Sequence, residues 1–116
     1  MKLITVLENL KNDNEMSIYM KTDELFKIAD KYDVHELLEQ IVDDEQINMI
    51  VKDYMTDWNS WELVAIFLAD VKVLNQEYYY LNGYGNLENL TSSHFDNILY
   101  DFIEEIKYKG LENEEI

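Results

Sequence analysis

The sequence predicts an α+β fold, mostly helical, with about five to six helices packed with a small antiparallel two- or three-stranded sheet. Three observations carry that expectation. Apolar residues recur at three- and four-residue spacing along most of the chain, the period of an amphipathic helix. Tyr78–Leu81 alternates instead, as strands do, and runs into "NGYGN", whose residues tolerate the positive φ of tight turns. Proline is absent and glycine occurs only 3 times, so little interrupts a helix elsewhere.

Residues 3–11 place Leu3, Val6, Leu7 and Leu10 on one helical face, and "NDNE" at 12–15 reads as a polar turn. "MSIYM" at 16–20 alternates and predicts a short strand. Thr22 or Asp23 then caps a helix over 23–32 that buries Leu25, Phe26, Ile28 and Ala29. Asp33 with Glu36 has capping-box spacing for a helix over 34–43 burying Val34, Leu37, Leu38, Ile41 and Val42.

Helices are further predicted over 45–56, with Ile47, Ile50, Val51 and Tyr54 on one side, and over 60–74, capped by the Asn59–Glu62 pair. The second is apolar around most of its circumference and reads as the central one. Strands at 78–81 and 86–89 form a hairpin, joined by 16–20 as the third strand. Alternation sends Tyr79 to one face and Tyr78 and Tyr80 to the other, so the tyrosines serve packing and a contact surface together. Thr91, Ser92 or Ser93 caps a last helix reaching Lys109, with Ser93 and Asp96 at capping-box spacing. Phe95, Ile98, Leu99, Phe102, Ile103 and Ile106 form its buried stripe, and Gly110 ends it. Residues 1–110 read as a single globular domain and 111–116 as an acidic tail able to remain disordered.

Composition narrows function further. The chain has no cysteine, which excludes a disulfide scaffold and thiol catalysis and fits a reducing compartment. "MKLITVLENLKNDNE" is too short and polar for a signal peptide or span, so a soluble protein of the host-cell cytoplasm is expected. Asp and Glu number 25 against 9 lysines and no arginine, for a net charge of −16. Phosphates would find few cations to hold, so direct nucleic-acid binding is not expected, nor is an anionic membrane surface. A basic protein surface would be attracted, and the field would speed encounter. Acidity also serves solubility, although a charge of about 2–8 suffices for a small domain.

No enzymatic chemistry stands out, and no cofactor or metal is expected. Ser93, His94 and Asp96 are neighbours on one predicted helix and point apart, which is no triad. Phosphate-binding glycine motifs are absent. "NDNE" and "DDE" are oxygen-rich but lack the ligand spacing of a calcium loop.

The acids instead recur on helix faces. On the last helix, Asn97, Asp101, Glu104, Glu105 and Tyr108 oppose the buried stripe. On the predicted 34–43 helix, Asp33, Glu36, Asp43 and Asp44 oppose Leu37, Leu38 and Ile41, with Glu39 beside them. Carboxylates one turn apart are separated by ~5.4 Å along the axis, against ~3.4 Å for phosphates along a DNA strand. The favoured contact site is Asp101, Glu104 and Glu105 with Asn82, Tyr84 and Asn86 in the adjoining turn; the competing site is Glu36, Glu39, Asp43 and Asp44.

In character, through its lysine-without-arginine bias, "YYYLNGYGNLENL" and the acidic helix after it, the chain resembles small acidic proteins of phages and mobile elements. Among these are the anti-CRISPR inhibitors of Cas9-type effectors, several of which are acidic DNA mimics. The resemblance covers the whole chain and no single motif. It implies an inhibitor that occupies the DNA-binding site of a basic partner without catalysing a reaction. Two other readings share the electrostatics or dispense with them: an immunity protein or antitoxin against a basic nuclease, and a phage structural or accessory protein whose acidity serves solubility.

Overall fold

The computed structural model describes residues 1–43, 45–47, 78–81 and 87–116. Backbone proximity divides the chain into two compact units: Met1–Leu38 with Thr91–Ile116, and Glu39–Leu90.

The first unit is helical. Helix α1 spans Leu3–Asn12 and buries Leu3, Leu7 and Leu10. The "NDNE" turn follows, closed by Asp13, whose Oδ1 accepts from the amides of Glu15 at 2.8 Å and Met16 at 3.2 Å.

Helix α2 spans Ile18–Tyr32, which corrects the expected strand at 16–20. Ser17 caps it, its hydroxyl accepting from the Met20 amide at 3.2 Å. Ile18, Thr22, Leu25 and Ala29 then continue one helical stripe, which outweighs a three-position alternation. Thr22 sits inside the helix and donates its hydroxyl to the Ile18 carbonyl at 2.7 Å.

Asp33 adopts φ 55°, the left-handed region, and closes α2. The amides of Asp33 and Val34 both donate to the Ala29 carbonyl. An N-cap requires extended φ/ψ, so Asp33 does not also open a helix, and the one expected over 34–43 is absent. Its residues form a 3-10 turn at Glu36–Leu38 and a strand at Ile41–Asp43.

Helix α3, Ser92–Tyr108, buries Phe95, Ile98, Leu99, Phe102 and Ile106 and packs on α1, α2 and the 3-10 turn. Ile103, expected in that stripe, is only half-buried. Each large apolar side chain removed from water stabilises the fold by about 1.5–3 kcal/mol, and Phe95 and Phe102 are fully buried.

Gly110, at φ 71°, takes the chain out of α3. Residues 111–116, read in the sequence as a charged tail, run back along the N-terminus. The carbonyls of Glu114 and Glu112 accept from the amides of Leu3 at 2.7 Å and Ile4 at 3.1 Å, and the Ile116 amide donates to the Met1 carbonyl at 3.1 Å. Lys2, the N-cap of α1, makes no side-chain cap bond. The returning chain therefore satisfies amides that a helix start leaves without partners.

The second unit holds a three-stranded antiparallel sheet in the order β1-β2-β3, with β1 at Ile41–Asp43, β2 at Tyr78–Leu81 and β3 at Leu87–Asn89. The expected hairpin is present, but its third strand is β1 rather than 16–20. Val42 pairs with Tyr79 and Tyr79 with Asn89. Tyr79 is buried while Tyr78 and Tyr80 are half-buried, the alternation that the sequence implies. Ile41 and Val42 are both buried, and as β-branched residues they suit the ladder. Asp43 and Gln46 form a reciprocal cap, Asp43 N–H to Gln46 Oε1 at 2.9 Å and Gln46 N–H to Asp43 Oδ1 at 2.8 Å.

Among the described residues four helices are complete, three α and one 3-10, fewer than the five to six expected. Residues 45–47 are helical, and Ile47 is buried; the remainder of the predicted 45–56 helix, the 60–74 helix and the "NGYGN" turn lie outside the described residues.

Candidate functional site

The orientation of α3 determines what the protein presents on this side. Its first turn is held by Thr91 and His94. The His94 amide donates to Thr91 Oγ1 at 3.3 Å, and the Thr91 amide donates to His94 Nδ1 at 3.2 Å. This places the capping box on Thr91 and His94 rather than on Ser93 and Asp96. His94 Nδ1 is thereby engaged with Thr91.

With the Phe95–Ile106 stripe inside, the opposite side of α3 faces solvent. Asp101 and Glu104 are exposed and Glu105 is half-exposed. Tyr100 and Tyr108 are 61% and 87% exposed. Tyr100, Glu104 and Tyr108 lie four residues apart, so they stack along one line of the helix surface with Asp101 beside them. Sequence reasoning placed Tyr108 on this face and missed Tyr100, although its four-residue offset from Glu104 was available.

The carboxylates are not a bare row. Lys107 Nζ lies 3.7 Å from Glu104 and Lys109 Nζ 3.9 Å from Glu105. Such exposed pairs contribute about 0–1 kcal/mol, so a competing cation displaces the lysines at little expense. Asp101 has no ion-pair partner among the described residues.

A depression on this face is lined by Leu37, Asp101, Glu104, Glu105, Lys107 and Tyr108. A neighbouring hollow shares Leu37 and Glu105 and adds Asp33, Val34, Glu36 and Lys109. The structure thus brings Glu36, from the competing acidic set, around Leu37 with the acids of α3. His35, at the same corner, has its ring nitrogens 3.5 Å from Asp30 and 3.8 Å from Asp33.

The helix expected to align the rest of the competing set is absent. Glu39 is exposed in the turn before β1, Asp43 is engaged with Gln46, and Asp44 lies outside the described residues. Asn82, Tyr84 and Asn86 also lie outside them.

Among the described residues no group of three or more His, Asp or Glu side chains is placed to hold a metal ion, and no helix is long and apolar enough to cross a membrane. No family model, curated protein or solved structure matches the chain.

Proposed function

We propose that the protein is an acidic inhibitor that binds a basic nucleic-acid-binding protein and occupies its nucleic-acid site, acting in the host-cell cytoplasm without catalysing a reaction. The carrying observation is the α3 face, where two exposed tyrosines flank Glu104 beside Asp101. Carboxylates answer the lysines and arginines of a phosphate-binding groove, and tyrosine rings accept guanidinium groups on their faces. Exposed tyrosine is also the residue type that anchors interfaces. The net charge of −16 supplies long-range attraction to such a groove and repels nucleic acid itself.

A Cas9-type effector is the particular partner proposed. It reads its target through arginines and holds the heteroduplex in a basic channel. The test is competition: guide-loaded effector is mixed with labelled target DNA and increasing amounts of this protein. Loss of DNA binding supports the reading. Unchanged DNA binding with cleavage blocked places the action at a later conformational step, and no effect on either removes this partner.

A further inference from the structure

A second surface shares no residue with the acidic depression on α3. A groove of about 250 Å³ lies between α1 and α2. Val6, Leu10 and Ile28 and the methionines Met1 and Met16 supply its apolar lining. Asn9 and two carboxylates, Asp13 and Glu24, complete the lining, which has no cationic side chain.

We infer that this groove receives one large apolar side chain presented by a positively charged segment of a partner protein. The groove is at the small end of the roughly 300–1,000 Å³ of small-molecule sites and has room for one large side chain. Methionines in the lining favour a protein anchor, because unbranched thioether chains adapt to the shape of what they cover. The two methionines are held differently. Met16 is fixed at its amide by Asp13. Met1 is 64% exposed, with its side-chain sulfur 3.5 Å from Asn9 Nδ2 and its amine on Glu115 at 2.9 Å. The Glu115 contact offsets the ammonium charge near the groove, and the lining carboxylates select a cationic occupant. Glu24 pairs with Lys27 at 3.3 Å, an exposed contact that an incoming cation can replace. An apolar anchor seated in a hydrophobic groove is a recurrent mode of peptide recognition. This inference does not rest on the role proposed for α3.

The test uses a synthetic peptide of about 12 residues, lysine-rich with a single central tryptophan. The full chain carries isotope-labelled methionine methyl groups, and binding is read from their NMR shifts and from tryptophan fluorescence. The Met1 and Met16 methyls should shift, whereas Met20, also exposed at 55% but outside the groove, should not. Replacing the peptide tryptophan by alanine should weaken binding at least about ten-fold. Glu24→Gln should weaken it by about two- to five-fold and flatten its salt dependence. Equal binding of the alanine peptide, equal binding of a glutamate-rich peptide carrying the same tryptophan, or shifts spread equally to Met20 would overturn the inference. Changing the peptide leaves the protein intact, so folding defects do not obscure the outcome.

Discussion

Thr91 and His94 cap α3 reciprocally, each backbone amide donating to the other's side chain at 3.2–3.3 Å. The helix they open carries Phe95, Ile98, Leu99, Phe102 and Ile106 inward and the tyrosine–glutamate line outward. Folding and presentation therefore depend on the same first turn. Thr91→Ala removes one of the two bonds and should cost about 0.5–2 kcal/mol. Thermal unfolding should show a melting temperature several degrees lower, with the helical spectrum at low temperature unchanged. An unchanged melting temperature would count against the cap.

Asp33 occupies a left-handed position that glycine adopts without strain. Asp33→Gly should leave stability unchanged or raise it by up to about 1 kcal/mol, whereas Asp33→Val should lower it by about 1–3 kcal/mol. Denaturant midpoints compare the two. Loss of stability with glycine similar to that with valine would show that the carboxylate, and not the backbone, matters there.

Glu115 accepts a hydrogen bond from the Met1 amine, whose positive charge adds to the effect, so its carboxyl is held below its ordinary value of 4.5. A depressed carboxylate stabilises the fold above its ordinary pKa, and the contribution disappears as pH falls through the folded value. The ion pair is exposed, so the effect is local. Glu115→Gln or N-terminal acetylation should flatten this part of the acid limb of stability and loosen the 111–116 segment in amide exchange. An acid limb identical to that of the unmodified chain would remove the pair from the account.

The stripe of α3 was legible because Phe95, Leu99, Phe102 and Ile106 repeat over several turns. Tyr79 stood out by alternation. The short elements were not decided by period. Met16, Ile18 and Met20 alternate, but Ile18, Thr22 and Leu25 also fit a helix, and the Ser17 cap favours the latter. Ile41 and Val42 are adjacent apolar residues, consistent with a buried strand or a helix until Tyr79 and Tyr80 pair with them. Asp33 and Glu36 have capping spacing, yet backbone handedness assigns Asp33 to the preceding helix. The cap at Asp43 and Gln46 had the same spacing and was overlooked. At the site, exposure of Asp101 and Glu104 followed from the stripe, whereas the pairing of Glu104 with Lys107 and of Glu105 with Lys109, three and four residues on, was not read from the sequence although the spacing offered it. The approach of Glu36 to the acids of α3 follows the end of α2 at left-handed Asp33, which no local period encodes.

Tyr100 and Tyr108 are exposed, so truncating either removes little buried surface, and in the proposed role they anchor the partner. Tyr100→Ala and Tyr108→Ala should each alter stability by less than about 0.5 kcal/mol. Each should weaken the complex with a basic partner by about 1–2 kcal/mol, mainly through faster dissociation. Charge acts on the other rate. Reversing Asp101 and Glu104 to lysine should slow association and flatten its dependence on salt, because exposed charges steer the encounter. Surface plasmon resonance with guide-loaded effector or a basic nuclease as ligand, run at low and physiological salt, separates the two effects. Glu39 supplies the contrast: it is exposed in the turn before β1. If Glu39→Lys abolishes binding while the tyrosine and Asp101/Glu104 variants retain both rates, the contact lies outside α3 and the proposed site is wrong.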